Sequence, residues 1–324
     1  MPTVDRRTAL VLGAAVTAGA AVPGFANDKP LMGKSVLITG ASSGFGQLGA
    51  VHYARLGAKV FATMRNLPRS EAAELLAKAK AQGLDITVLA LDVTSDASVA
   101  KAVAQAQTLA GGAIDILINN AGIGITGPVE IQDLVATKLA FETNVFGPQR
   151  LIRAVLPAMR AKKSGLIFNV SSQLGRVIAP GGGHYSATKF ALEALSEQLA
   201  YELVPLGIEV CVIQPGGYPT KVWVNRNALN TALKKRADPA ALAAYPALTA
   251  RMGSETGGGR SADPLDVPKA IAEIAAMPPG TRPLRRAVHP GGKPQEAINK
   301  VSRETQLAWL GETPFGPWIK AVHD

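Results

Sequence analysis

Two side chains with the spacing of catalytic partners, Tyr185 and Lys189, lie four residues apart in a segment of helical length. A helix would place both on one face. A phenol with a pKa of about 10 is a poor acid or base at neutral pH, but a neighbouring ammonium favours the phenolate and lowers that pKa. Ser172 closes a predicted strand thirteen residues before Tyr185 and offers a hydroxyl that can hold a carbonyl oxygen. The set predicts proton transfer to or from a carbonyl or alcohol oxygen.

A glycine-rich turn lies between the first apolar run, residues 35–39, and a helical stretch that reaches Leu56. Glycines there allow a tight turn and let backbone N–H groups approach a pyrophosphate at the helix N-terminus. The spacing is Thr-Gly-x-x-x-Gly-x-Gly, which differs from the Gly-x-Gly-x-x-Gly of most dinucleotide folds. We predict that the cofactor is bound here by Gly40, Ser42, Ser43, Gly44, Phe45 and Gly46.

The end of the second apolar run indicates which dinucleotide is bound. NAD-binding folds usually carry a carboxylate at this point that accepts hydrogen bonds from the adenosine ribose. This chain has Met64 and Arg65 instead. Met64 accepts no such bond, whereas the Arg65 guanidinium can pair with a 2′-phosphate. The residues favour NADP over NAD; the alternative is that Arg65 is an ordinary solvated side chain.

These residues need elements to position them, and the sequence supplies apolar runs that alternate with helical segments. We predict strands at 35–39, 60–63, 86–91, 114–118, 166–170, 208–213 and 284–289. Such alternation implies a parallel sheet covered by helices on both faces. The predicted fold class is α/β, a Rossmann-type doubly wound parallel sheet in a single domain over residues 33–290. Residues 291–324 form a predicted C-terminal extension.

Two helices carry more detailed predictions. Leu192, Leu195, Leu199 and Leu203 are predicted to mark one apolar face of the helix that begins at His184. Asp266 is predicted to cap a helix that reaches Met277. Between these helices, residues 221–262 show weaker periodicity and end in a glycine-rich stretch.

The first 26 residues have the composition of a targeting segment. Arg6 and Arg7 precede a weakly apolar stretch without charges, and small residues end it. This pattern resembles a twin-arginine signal peptide with cleavage after Ala26. Asp5 and Ala9 depart from the usual pattern. We expect an exported, periplasmic protein; the alternatives are an uncleaved membrane anchor and a neutral extension on a cytoplasmic protein.

Composition excludes several classes of protein. The chain has 324 residues, 47% apolar and 18% charged, which is typical of a globular fold and not of a disordered one. The net charge of +10 is spread along the chain without a nucleic-acid-binding motif, so we expect no nucleic-acid partner. Cys211 is the single cysteine, and the four histidines lack metal-ligand spacing, so we expect neither a disulfide within the chain nor a metal site.

Taken in order, these motifs resemble the short-chain dehydrogenase/reductase family in its single-domain branch, over about residues 33–290. Residues 63–65 look most like the NADP-using members related to hydroxysteroid and retinol dehydrogenases. The resemblance implies that Tyr185 is the general acid in reduction and the base in oxidation. It also implies that Lys189 holds the nicotinamide ribose, that Ser172 polarises the substrate oxygen and that Asn144 fixes a relay water.

The resemblance further implies a set of cofactor-binding positions, in which Tyr185 and Lys189 are joined by Asp92, Asn119, Ala121, Pro215, Gly216 and Thr220. For Asp92 and Asn119, a loop cap and a strand-end hydrogen bond are the alternatives. The expected partner is a small carbonyl or alcohol substrate, and the family's habit implies a homo-oligomer. The function expected is NADP(H)-dependent interconversion of a carbonyl and a secondary alcohol. The alternatives are an NADP-binding sensor or scaffold without turnover, and an epimerase or lyase on the same fold.

Overall fold

The structure is a computed structural model and describes residues 29–257 and 260–323. The predicted signal segment at 1–26 lies outside the described residues, so export stays a prediction. Within the described ranges, no helix is both long and apolar enough to cross a membrane.

Seven parallel strands form one sheet in the order β3-β2-β1-β4-β5-β6-β7. The strands are β1 Ser35–Ile38, β2 Lys59–Met64, β3 Ile86–Ala90, β4 Ile116–Asn119, β5 Gly165–Val170, β6 Ile208–Pro215 and β7 Arg285–Val288. Each lies within two residues of a predicted apolar run, and the sheet confirms the predicted fold class.

Helices connect the strands and cover the sheet. They are α1 Gly44–Arg55, α2 Ser70–Ala81, α3 Asp96–Ala110, α4 Leu134–Phe141, α5 Gly147–Lys162, α6 Gly183–Leu203, α7 Val222–Arg236, α8 Pro239–Ala244, α9 Pro246–Thr249, α10 Asp266–Ala276, α11 Gln295–Leu310 and α12 Gly316–His323. A π-helical turn, Glu142–Phe146, joins α4 to α5.

The core consists of two main apolar layers, one on each face of the sheet. Successive side chains of a strand point to opposite faces. In β1, Val36 and Ile38 accordingly join a layer with α1, α2 and α10, whereas Leu37 joins a layer with α3, α5 and α6. Burial on both faces explains why the strands are continuous apolar runs.

The strand order creates the site. From β1 the chain moves outward through β2 and β3 and then returns to β4 on the other side of β1. The segments that follow β1 and β4 therefore diverge at the carboxyl edge of the sheet and leave a crevice there, which is where open α/β sheets bind ligands.

Two helix predictions are wrong in detail. Leu192 and Leu203 of α6 are buried, but Leu195 is 44% exposed, because the buried face also carries polar residues such as Glu193 and Glu197. Asp266 is the first residue of α10 and does not cap it; its carboxylate accepts a hydrogen bond from the Tyr218 hydroxyl at 3.4 Å.

The C-terminal extension packs on the domain. The His323 ring of α12 lies 2.6 Å from the Tyr201 hydroxyl of α6, and the Asn299 amide of α11 donates to Gln214 Oε1 at 2.7 Å. These contacts tie both C-terminal helices to α6 and β6.

Candidate active site

One cavity of about 710 Å³ occupies the crevice at the carboxyl edge of the sheet. Residues that follow β1, β2, β4, β5 and β6 line it, together with residues of α6 and α7. The predicted site residues among them are Gly40, Ser42, Ser43, Gly44, Phe45, Arg65, Asp92, Ala121, Ser172, Tyr185, Lys189, Pro215, Gly216 and Thr220. Asn119, Asn144 and Gly46 are not part of the lining.

The glycine turn forms the floor of the cavity. Gly40 and Gly44 have positive φ angles of 71° and 55°, which glycine adopts without strain. A Cβ on Gly46 would lie 2.3 Å from the Gly40 carbonyl oxygen, so Gly46 lets α1 pack closely behind the turn. Ser43 is the N-cap of α1, and its hydroxyl makes no capping hydrogen bond. The first-turn N–H groups thus donate no hydrogen bond to the Ser43 side chain, which fits the diphosphate of a dinucleotide.

The adenosine end of the cavity carries two arginines. Arg65 is exposed just after β2. Arg69, which the sequence analysis missed, also lines the cavity, and its guanidinium binds Glu71 at 2.9 Å and the Arg65 carbonyl at 3.4 Å. Arg69 follows Arg65 by four residues, and this closeness in sequence was the available signal for a second cation at the same end of the cavity. The positive charge at this end fits a 2′-phosphate.

Asp92 lies beside Arg65 and acts as a loop cap as well as a cavity residue. Its Oδ1 accepts hydrogen bonds from the Thr94 N–H at 2.9 Å and from the Thr94 hydroxyl at 2.8 Å. Although partial burial acts to raise the pKa of Asp92, these hydrogen bonds and the charges of Arg65 and Arg150 hold it below its usual value. Asp92 is therefore a carboxylate at neutral pH.

Asn119, which is predicted to line the adenosine side, is not among the residues that line the cavity. As the last residue of β4, Asn119 is 3% exposed, and its amide donates to Asn169 Oδ1 of β5 at 2.8 Å. The strand-end hydrogen bond was the correct alternative. The next residue, Asn120, lines the cavity and donates to the Thr39 carbonyl at 2.8 Å.

The catalytic candidates meet at the other end of the cavity. Tyr185 and Lys189 lie in the first two turns of α6, and Ser172 follows β5. Lys189 Nζ donates to the Val170 carbonyl at 2.9 Å and lies 5.7 Å from the centroid of the Tyr185 ring. The Ser172 hydroxyl accepts from the Leu174 N–H at 3.1 Å and keeps its own proton to donate. All three residues line the same cavity.

Burial sets the titration of the tyrosine and lysine. Burial raises the pKa of the Tyr185 phenol, whereas the Ser172 hydroxyl and the charge of Arg226 act to lower it. The raised pKa contradicts the lowered value expected from the Tyr185–Lys189 spacing, because desolvation outweighs the nearby charges. Burial also lowers the pKa of Lys189 to about 8, against the opposing effect of Glu193.

Asn144 lies next to the catalytic residues but outside the cavity lining. Its amide nitrogen donates to the Ile123 carbonyl at 2.9 Å and to the Thr188 hydroxyl at 3.0 Å, and its oxygen accepts from the Ile123 N–H at 2.9 Å. Both amide protons are thus used to hold the segment after β4 against α6. The water relay stays a prediction, with one lone pair of the Asn144 oxygen left to serve it.

A buried ion network lies one helical turn beyond Lys189. The Arg285 guanidinium of β7 binds Glu193 at 2.8 Å and Glu197 at 2.6 Å, and Gln214 donates to Glu193 at 2.9 Å. The Arg285 and Glu193 side chains are 6% and 2% exposed. This network is not among the predictions from the sequence; the available signal was the four-residue spacing that places Glu193 and Glu197 on the same face of α6 as Tyr185.

The residues after β6 line the cavity, on the side where the sequence predicts the nicotinamide. A Cβ on Gly44 would lie 3.3 Å from Thr220 Cβ, so Thr220 covers the glycine turn. A Cβ on Gly216 would lie 2.6 Å from the His289 ring. Position 216 therefore favours glycine, because a larger residue would have to displace that ring. His184, in contrast, faces away and contacts the Thr137 hydroxyl at 2.5 Å through Nδ1. No group of three His, Cys, Asp or Glu residues in the described part of the chain could hold a metal ion.

Comparisons with known proteins agree with this geometry. The family model for short chain dehydrogenases matches residues 34–230, which is more than half of the chain. The chain therefore belongs to the short-chain dehydrogenase/reductase family, as its motifs predicted, and is an oxidoreductase of the kind that acts on CH–OH groups. Retinol dehydrogenase 8 of Bos taurus is 37% identical over 280 residues, which cover 85% of this chain and 87% of that protein.

Solved structures of similar proteins contain either nicotinamide cofactor. A short chain dehydrogenase/reductase from Burkholderia phymatum in complex with NAD is 25% identical, with a TM-score of 0.67, and the match covers 88% of this chain and 97% of that one. A metagenomic short-chain oxidoreductase in complex with NADP is also 25% identical, with a TM-score of 0.63, over 81% of this chain and all of that one. The comparisons thus support a nicotinamide cofactor of either kind.

Proposed function

We propose that the protein is an NADP(H)-dependent oxidoreductase that interconverts a carbonyl and a secondary alcohol, with Tyr185 as the general acid and base. One observation carries the proposal: Ser172, Tyr185 and Lys189 converge at one end of the cavity whose floor is the uncapped glycine turn. The cofactor supplies or accepts the hydride when it is bound.

The chain's own residues move the proton. In reduction, the Tyr185 hydroxyl donates its proton to the carbonyl oxygen, and in oxidation its phenolate accepts the alcohol proton. The Ser172 hydroxyl donates a hydrogen bond to the same oxygen and stabilises the charge that develops on it. Lys189 would bind the nicotinamide ribose, and its ammonium, 5.7 Å from the centroid of the Tyr185 ring, would favour the phenolate. Burial of the site keeps water from competing for these hydrogen bonds.

The preference for NADP rests on Arg65. Its guanidinium is exposed, lines the cavity and matches the geometry of a phosphate dianion. Arg69 adds positive charge beside it, although Glu71 binds that guanidinium. The Asp92 carboxylate would lie near the adenosine ribose. Export directed by residues 1–26 and assembly into a homo-oligomer stay predictions from the sequence.

The test is the oxidation of NADPH, followed by its absorbance, over a broad panel of ketones and aldehydes, with NADH in parallel. We expect net NADPH consumption with at least one carbonyl class and weaker activity with NADH. Saturable NADPH binding without consumption would identify a sensor or scaffold. Interconversion of substrate isomers without net change in cofactor would identify an epimerase. Either result would overturn the proposal.

A further inference from the structure

A third part of the cavity, beside the catalytic end, is formed by one tryptophan and two arginines. The Arg226 guanidinium lies 4.4 Å from the centroid of the Trp223 ring, and that of Arg260 lies 4.0 Å from it. All three residues line the cavity. We refer to Trp223, Arg226 and Arg260 as the arginine–tryptophan wall. Guanidinium groups at these distances interact favourably with an indole ring.

The wall begins next to the reacting phenol. A Cβ built on Gly124 would lie 3.3 Å from Arg226 Cδ and 4.0 Å from Tyr185 Cδ2, so Arg226 and Tyr185 flank the same glycine. The contacts then run from Arg226 to Trp223 and from Trp223 to Arg260. A substrate with its carbonyl at Tyr185 therefore extends along this wall towards Arg260.

Carboxylates of the protein neutralise only part of the positive charge of the arginine–tryptophan wall. Glu255 binds Arg226 at 2.7 Å. Arg260 forms no ion pair with any residue that the structure describes. Among the described residues that line the cavity, Asp92 is the single carboxylate, and it lies at the adenosine end. Glu255 is thus bound to Arg226, and an anionic group at Arg260 would meet a guanidinium that forms no ion pair with a described residue.

Arg260 is exposed, and its guanidinium contacts the Trp223 ring and the backbone at Gly217. A Cβ on Gly217 would lie 2.7 Å from Arg260 Nε, so the side chain lies against bare backbone. The Trp223 indole N–H donates to the Tyr218 carbonyl at 2.8 Å, which fixes the ring on which Arg260 stacks. The hydrogen-bond donors of Arg260 remain available to a ligand.

Apolar side chains complete this part of the cavity: Ile123, Leu139, Val222 and Leu229. We propose that the substrate is an apolar oxo acid, or the corresponding hydroxy acid, whose carboxylate binds Arg260 while its carbonyl lies at Tyr185 and Ser172. This inference rests on the proposed function and adds the class of substrate to it.

The test compares matched pairs that differ only in the charge at the far end, namely 5-oxohexanoate and 8-oxononanoate and their methyl esters, at saturating NADPH. For at least one pair we expect the acid to have a kcat/KM about 10- to 100-fold above that of the ester, which is the value of one charged hydrogen bond. Arg260→Gln should remove this preference by lowering activity on the acid alone. Gly217→Ala should reduce it partly, because the new methyl group displaces the guanidinium.

The matched control is Arg286→Gln, which removes an exposed arginine of β7 that does not line the cavity. Binding of each acid and ester to Tyr185→Phe in the presence of NADP⁺, measured by calorimetry, provides a readout without turnover. We expect tighter binding of the acid there, and loss of that difference when Arg260→Gln is added.

Three results would overturn the inference. The first is an equal kcat/KM for acid and ester in every pair, and the second is equal calorimetric affinity of Tyr185→Phe for acid and ester. The third is that Arg260→Gln weakens NADPH binding but leaves the acid-to-ester ratio of kcat/KM unchanged. The last result would assign Arg260 to the cofactor diphosphate. Failure of the proposed function is distinguishable, because the wild type would then reduce neither acid nor ester nor any carbonyl of the broad panel.

Discussion

The two ends of the cavity hold cations in opposite surroundings. At the catalytic end, Lys189 is 5% exposed, its pKa is lowered to about 8, and a buried ion network lies one helical turn behind it. At the adenosine end, Arg65 is exposed directly after β2. Lys189 is thus a buried cation, whereas Arg65 is a solvent-exposed one.

The difference follows from what each end has to do. Burial moves the pKa of the Lys189 ammonium towards neutral pH and that of the Tyr185 phenol away from it, so proton transfer at this end depends on how deeply its groups are buried. Phosphate recognition needs only a permanent charge with fixed donors, which arginine keeps in any surroundings. Substitutions at the catalytic end should therefore change reactivity, pH dependence and stability, whereas substitutions at the adenosine end should change cofactor choice alone.

The largest expected effect comes from Tyr185→Phe, which removes the proton donor and keeps the ring. We expect kcat/KM for NADPH-dependent reduction to fall by about 10²- to 10⁴-fold, the usual value of a general acid. Affinity for NADPH, measured by fluorescence titration, should change by less than about twofold. Reduction at an unchanged rate would show that another group supplies the proton.

The second effect concerns the ion network behind Lys189. Arg285→Met should lower the free energy of unfolding by about 3–5 kcal/mol, because it leaves two buried glutamates without the arginine that neutralises them. The neighbouring Arg286→Met is the matched control: it breaks an exposed pair with Glu273 and should cost less than about 1 kcal/mol. Urea unfolding at neutral pH measures both. Equal losses of unfolding free energy in the two variants would show that the buried ion network contributes no more to stability than the exposed pair.

The loss in Arg285→Met should depend on pH. Hydrogen bonding to His323 and the charge of Arg285 outweigh burial and lower the pKa of Glu197 to about 2. A carboxyl with a lowered folded-state pKa stabilises the fold above its unfolded pKa of about 4.3 and ceases to do so as the pH falls through its folded value. The stability difference between wild type and variant should thus narrow between about pH 4.5 and pH 2.

At the adenosine end, Arg65→Ser should weaken NADPH binding by about 10- to 100-fold, the value of a charged hydrogen bond, with NADH binding unchanged. Arg69→Gln should have a smaller effect, because Glu71 already binds the Arg69 guanidinium. Dissociation constants for both cofactors test this. Parallel loss of NADPH and NADH affinity would argue against 2′-phosphate recognition by Arg65.

The smallest effect is a change in pH profile. Because the folded-state pKa of Lys189 is lowered to about 8, its ammonium is lost as the pH rises through that value, and reduction should decline there. Glu193 opposes the lowering, so Glu193→Gln should move the decline to lower pH by about half a unit to one unit. Glu197→Gln, one turn farther from Lys189, is the control and should move it less. An unmoved profile would show that Glu193 acts only in folding.

The sequence predicted the sheet, the glycine turn and the Tyr185–Lys189 pair because each depends on local pattern. Apolar runs define buried parallel strands, and a four-residue spacing defines one helix face. The direction of the Tyr185 pKa shift could not be read in this way, since it depends on how deeply the tertiary fold buries the phenol. The spacing of Tyr185 and Lys189 carries no information about that depth.

Other misses have the same origin in long-range contacts. Glu193 and Glu197 look like a solvated helix face until β7 brings Arg285 against them, 92 and 88 residues away in sequence. Asn119 and Asn120 are adjacent, and only the exact end of β4 decides which side chain reaches the cavity. Arg260 lies in a stretch without periodicity, so nothing local places it on Trp223.

The central claim is hydride transfer to a substrate carbon at the Tyr185 end of the cavity. The most direct measurement uses NADPH that carries deuterium at nicotinamide C4, in each of its two stereochemical forms, and mass spectrometry of the alcohol product. We expect one deuterium on the carbinol carbon from one of the two forms, with net formation of NADP⁺, and strongly reduced transfer in Tyr185→Phe. A product without deuterium, or deuterium exchange without net cofactor oxidation, would contradict it.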